Sequence, residues 1–92
     1  MIQSFACYHT KELWELGESR KFKNIESVGI RKLQMIHRAS NLMDLKIPPA
    51  NRLESLKGDR VGQYSIRLND QFRICFRWTK EGAQDVEIVD YH

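Results

Sequence analysis

Three proton-handling side chains stand together at Asp90, Tyr91 and His92, in the run "VEIVDYH". A carboxylate, a phenol and an imidazole can between them accept and donate protons, and the imidazole does so near neutral pH. Cations recur upstream: Lys57 and Arg60 in "LKGDRVG", Arg67 in "QYSIRL", Arg73 and Arg77 in "FRICFRW". Proton donors and acceptors beside ammonium and guanidinium groups are the parts of metal-free phosphodiester cleavage. A base takes the proton of the attacking hydroxyl, cations stabilise charge on the phosphorus oxygens, and an acid protonates the leaving oxygen. Each piece also has a plainer reading, as a solvated outer face and a polar turn. Gly58 permits the tight backbone of "KGDR", but the leading glycine and spacing of a Walker loop are absent.

The charge distribution points the same way. The formal net charge is only +3 over 92 residues, yet residues 20–38 carry Arg20, Lys21, Lys23, Arg31, Lys32 and Arg38 against Glu26 alone. Such asymmetry suits a polyanionic partner, and a solvated helix face stands beside that reading. The two cysteines, Cys7 and Cys75, have neither metal-ligand nor disulfide-scaffold spacing, and a zinc site through Cys7, His9, Cys75 and His92 would be too scattered. No apolar run approaches the ~20 residues of a membrane span, and "MIQSFACYH" is not a charged-then-apolar leader. The expectation is one cytoplasmic domain, residues 1–92, with free thiols, no cofactor and no membrane partner.

These residues need a frame to hold them. "IQSFA" reads as a short opening strand, and "HTKELWELG" as a helix capped by Thr10 and stopped by Gly17. "ESRKFK" connects to a longer helix with Asn24 as cap and Ile25, Val28, Leu33, Ile36 and Ala39 at helical spacing; Gly29 inside it has no evident purpose. "IPPAN" ends helical structure. From Asn51 the pattern turns to strands: "RLESL", "QYSIRL", "FRICFRW" and "DVEIVDYH", joined by turns at "KGDR", "NDQ" and "TKEGAQ". The fold class is therefore α+β: a short N-terminal strand, two helices, then antiparallel hairpin-connected strands in a small mixed sheet, with helices on one face.

Period-two spacing puts Phe72, Ile74, Phe76 and Trp78 on one face with Tyr64, Ile66 and Leu68. Arg73, Cys75 and Arg77 then share the opposite, solvent-open face with Arg67, where like charges are tolerable if wet and useful if they hold phosphate. On the last strand Val86 and Ile88 share one face and Glu87 and Val89 the other, so burial does not choose between them.

Taken together, "MIQSF", "LKGDR", "QYSIR", "FRICFRW" and "VEIVDYH" make the chain resemble the RelE/ParE superfamily, specifically its HigB-type branch of bacterial toxins from type II toxin–antitoxin systems. The resemblance implies a RelE-like fold and a ribosome-dependent messenger-RNA endonuclease that cuts the message in the decoding site without metal. It implies as partners a HigA-type helix-turn-helix antitoxin, the 70S ribosome and mRNA, with operator DNA reached only through the antitoxin complex. Position by position, it makes Lys57 a phosphate-stabilising lysine, Arg73 a transition-state arginine, and Asp90, Tyr91 and His92 the catalytic cluster. His92 is favoured as general acid, with Asp90 or Tyr91 as proton acceptor or orienter. Arg60 joins by proximity, and Arg67, Arg77, Lys21, Lys23, Arg31 and Lys32 are expected to contact RNA. A ParE-like DNA gyrase inhibitor on the same fold and a non-catalytic nucleic-acid-binding module are the alternatives.

Overall fold

The computed structural model describes residues 1–91. The elements are α1 (Tyr8–Leu16), α2 (Glu26–Arg38), β1 (Glu54–Ser55), β2 (Tyr64–Arg67), β3 (Phe72–Thr79) and β4 (Gly82–Asp90), with short 3₁₀ turns at Arg20–Ile25, Leu42–Lys46, Pro49–Asn51 and Gly58–Arg60. The four strands form one antiparallel sheet in the order β1-β2-β3-β4. This is the expected α+β arrangement of two helices and a hairpin-connected sheet. No helix among the described residues is long and apolar enough to cross a membrane.

The apolar periods close into one core. Leu13, Leu33 and Ile36 from the helices meet Ile66, Ile74, Phe76, Val86 and Ile88 from the sheet, all buried. Pairing of Tyr64 with Phe76 and Ile66 with Ile74 confirms the facing read from period-two spacing. Burial also chooses the face on β4, because Val86 and Ile88 go into the core and leave Glu87 and Val89 on the other side.

Local details differ from expectation at several places: only Glu54–Ser55 of "RLESL" pair as strand, and β4 begins at Gly82, inside the expected turn "TKEGAQ". The opening residues form no continuous strand; they run beside β4 in parallel, touching it at the bridges Ile2–Ala83 and Phe5–Val86. Gly82 makes that approach possible: at φ +127° it takes a conformation that other residues avoid, and a Cβ there would lie 1.9 Å from the Met1 carbonyl oxygen. Thr10 is not the cap of α1, a place taken by Cys7 without a side-chain bond. It lies buried inside the helix, where its hydroxyl oxygen accepts the Ile88 N–H at 3.0 Å and ties α1 to β4. Asn24 does not cap α2; "RKFKNI" is itself a 3₁₀ turn, and Glu26 reaches back to accept the Ser19 N–H at 3.0 Å. Gly29 acquires a purpose, since a Cβ there would meet the Leu13 side chain at 3.0 Å. The missing side chain lets α1 pack close to α2.

The last irregularity is in β4. Between the Cys75–Glu87 and Arg77–Gln84 pairs the register shifts by one, and Asp85 takes φ +53°. The resulting bulge sets the strand so that Glu87 stands opposite Cys75 on the face away from the helices.

Candidate active site on the helix-free face

Three rows of side chains cross this face: Arg67, Arg73 and Val89; then Ser65, Cys75 and Glu87; then Arg77 and Gln84. The face is not open at its centre, contrary to the sequence reading, because Ser65 and Cys75 are fully buried. Arg60, Arg73 and Tyr91 roof them.

Arg73 is held tightly. Its Nε donates to Ser65 Oγ at 2.8 Å, and its Nη2 donates to the Arg52 carbonyl at 2.6 Å and the Ser65 carbonyl at 3.3 Å. Glu54 lies 3.9 Å away, and the arginine side chain is only 12% exposed. Directly opposite, Arg67 pairs with Asp70, whose carboxylate offsets one of the two like charges. Arg77 pairs with Asp85 at 3.5 Å, its guanidinium lying against Gly62.

Arg60 reaches the middle row from the 3₁₀ turn of "KGDR". Its Nη1 donates to Glu87 Oε1 at 2.8 Å and to Gln63 Oε1 at 3.0 Å. The hydrogen bond to Glu87 raises the Arg60 pKa, fixing the guanidinium as a cation. Lys57, at the head of the same turn, is exposed.

Tyr91 folds back over the sheet, its hydroxyl 4.0 Å from Cys75 Sγ. Burial pushes the Tyr91 phenol up, and the adjacent Cys75 adds to the rise. Burial likewise pushes up the Cys75 thiol, against the opposing pull of the Arg60 guanidinium. Both groups therefore keep their protons near neutral pH, so the phenol has a proton to donate while its oxygen faces the Cys75 thiol.

Asp90 lies apart from this cluster. It pairs with Phe72, on the helix-bearing side, and its Oδ2 accepts from Gln71 Nε2 at 3.0 Å. The Gln71 carbonyl also accepts the Tyr91 N–H at 2.7 Å, so one residue of the β2–β3 turn anchors both. His92 lies outside the described residues.

The basic stretch divides. Lys21, Lys23 and Arg31 are exposed. Lys32 is not: it is 5% exposed and its ammonium donates to the buried Asn51 side chain. Burial lowers its pKa, with Arg31 and Arg67 adding to the effect. It ties α2 to the segment before β1 and does not belong to the exposed cationic surface. A cleft of about 240 Å³, lined by Arg20, Lys21, Lys23, Asn69 and Gln71 among others, runs from the basic turn to the end of the sheet that carries Asp90.

Sequence reasoning missed Glu87 and Gln63. The alternation of β4 placed Glu87 on one of two faces, and the bulge that settles its partner was invisible.

Fold and site together define a small α+β domain whose sheet bears the helices on one face and a cation–phenol cluster suited to phosphate on the other. Residues 3–92 match the family described as the RelE-like toxin of type II toxin–antitoxin system HigB, and the chain belongs to that HigB-like family. It is 46% identical over 55 residues to Toxin HigB-1 of Vibrio cholerae, covering 60% of this chain and 58% of that protein. An uncharacterized protein of Haemophilus influenzae is 44% identical over 55 residues, 60% of this chain and 54% of its own. These two matches thus span little more than half of each relative. Endoribonuclease HigB of Proteus vulgaris is 32% identical over 94 aligned residues, the full length of both chains.

Proposed function

We propose that this chain is the toxin of a type II toxin–antitoxin pair and acts as a ribosome-dependent mRNA endonuclease in the cytoplasm, cutting the message in the decoding site without metal. The observation that carries the reading is the convergence of Arg60, Arg73 and the protonated Tyr91 phenol on one face of the sheet. The name of the full-length Proteus vulgaris relative supports ribonuclease chemistry.

In this mechanism a message 2′-hydroxyl attacks the adjacent phosphorus, losing its proton to solvent water as the bond from the 2′ oxygen to phosphorus forms and the bond from phosphorus to the 5′ oxygen breaks. Arg60, Arg73 and Lys57 stabilise charge on the non-bridging oxygens. Tyr91 donates to a phosphoryl oxygen, and His92 protonates the leaving 5′ oxygen. Asp90, held by Gln71, orients the residues around it. The cluster forms a roof over Cys75 and not a deep cleft, so it has little means of bending RNA. A ribosome that holds the message splayed supplies that geometry. Lys21, Lys23 and Arg31 grip ribosomal RNA phosphates. A HigA-type helix-turn-helix antitoxin neutralises the toxin and carries any contact with operator DNA.

The test is induction followed by transcript mapping, with purified RNA as a control. Cuts within translated messages, naked RNA being largely spared, are expected. Efficient cutting of purified RNA would sink the ribosome dependence, and intact transcripts with inhibited gyrase supercoiling would replace the proposal with the ParE-like activity.

A further inference from the structure

The two arginines of this face are held in different ways. Arg73 spends its Nε and Nη2 on Ser65 and Arg52, and it is largely covered. Arg60 is engaged at a single nitrogen, Nη1, which two acceptors share; its side chain is 31% exposed. Among the described residues its Nε and Nη2 have no hydrogen-bond partner. Glu87, which supplies the closer acceptor, comes from β4, 27 residues further along the chain. It is 24% exposed and stands opposite Cys75, in the row that the Tyr91 hydroxyl reaches.

A long arginine side chain rising from a short turn has many rotamers to lose when it binds an anion. Two acceptors on one nitrogen remove that freedom beforehand and leave the remaining edge of the guanidinium for a bidentate contact. The carboxylate also repels a phosphate, so its presence costs attraction unless it contributes placement.

We propose that Glu87, assisted by Gln63, is a positioning residue that holds Arg60 over the Cys75–Tyr91 row with its Nε and Nη2 donors presented to phosphate. Arg60 is then the chief cation of the reaction, and Arg73 chiefly holds the β1 segment to the sheet. This rests on the RNA-cleavage reading above.

The test combines single-turnover cleavage on programmed ribosomes with a binding readout that needs no catalysis. Glu87→Ala should slow cleavage by about 10- to 100-fold, the effect expected when a charged group is deprived of its hydrogen-bond partner. Glu87→Gln keeps an acceptor oxygen and should stay within roughly threefold of the wild type. In an Arg60→Ala background Glu87→Ala should add almost nothing, because its effect runs through Arg60. Thermal melts correct each rate for folded fraction. Equal slowing by Glu87→Ala in both backgrounds, or faster cleavage without the carboxylate, would overturn the proposal. In parallel, the ¹⁵N-labelled Arg60 Nε–H signal is followed during titration with inorganic phosphate. A shift in wild type and Glu87→Gln that disappears in Glu87→Ala supports the positioning role, and an undiminished shift in Glu87→Ala defeats it. If the wild type cuts no message on ribosomes, the functional reading fails, and the phosphate titration still decides the role of Glu87.

Discussion

Asp90 and Tyr91 are consecutive in the chain and lie on opposite faces of the sheet. Asp90 pairs with Phe72 and bonds Gln71 on the helix-bearing side, while the Tyr91 hydroxyl reaches Cys75 on the other. The "DYH" run is therefore not one cluster through its first two members, and the two should fail differently. Tyr91→Phe should lower the cleavage step by roughly 10²- to 10³-fold, the cost of losing one positioned donor to developing charge. Tyr91 is 46% exposed, so melting temperature and ribosome binding should hardly move. Near-wild-type cleavage by Tyr91→Phe would return the phenol to being a cover for Cys75.

Gln71 should act through Asp90. Gln71→Ala removes the 3.0 Å hydrogen bond that holds the Asp90 carboxylate, so in an Asp90→Ala background it should slow cleavage no further. Additional slowing by Gln71→Ala in that background would give Gln71 a role of its own.

Arg73→Ala should cost stability as well as activity. The substitution leaves the fully buried Ser65 Oγ without its Arg73 donor, whereas the exposed Arg52 carbonyl can turn to water. A loss of about 1–3 kcal/mol is expected, the cost of stranding buried polar groups. Urea denaturation measures it directly. Unchanged stability would show that Arg73 is held for chemistry alone.

Much of the frame is legible in the sequence. The facing of β2 and β3 follows from strict alternation in "QYSIRL" and "FRICFRW", and Gly17 closes α1 as its sequence position suggests. What escapes is set by distant residues meeting in space. Thr10 has the chemistry of a cap, but the Ile88 N–H, 78 residues away, claims its hydroxyl. Gly29 is explained only by Leu13 across a helix crossing. In the site, cations can be found by type, whereas the partners that sort them into anchored Arg73 and clamped Arg60 depend on strand register and on the β4 bulge. Lys32 shows the limit best: four residues from both Val28 and Ile36, it falls on the apolar face of α2, but the sequence does not say that Asn51 waits there to accept its ammonium.

The burial of Lys32 should be visible in the pH dependence of stability. Its folded pKa is lowered, by burial first, whereas in the unfolded chain it holds its proton up to the ordinary lysine value of 10.5. Between those two values the unfolded state binds more protons, so this group makes stability rise with pH. The stability of the wild type minus that of Lys32→Met should therefore increase on approaching pH 10.5, by at most about 1.4 kcal/mol per pH unit for one proton. The subtraction cancels Cys75 and Tyr91, whose raised values pull the other way at alkaline pH. A flat difference would place the ammonium in contact with water.

The exposed half of the basic stretch should then carry ribosome binding without Lys32. Lys21 and Lys23 line the cleft that leads toward Gln71 and Asp90, and both are exposed, so reversing them leaves the core untouched. The double variant Lys21→Glu, Lys23→Glu should weaken association with ribosomes. Every lysine that no longer neutralises a phosphate should flatten the dependence of log K on log salt by about 0.7 to 0.9. Reversing both thus predicts a slope shallower by roughly 1.5. The chemical step, measured once the variant is saturated on ribosomes, should stay near wild type, because neither lysine belongs to the Arg60–Arg73–Tyr91 face. Binding measured from low to high salt checks the slope, and single-turnover cleavage at saturation checks the step. An unchanged slope would make this stretch a solvated surface with no part in the proposed ribosome binding.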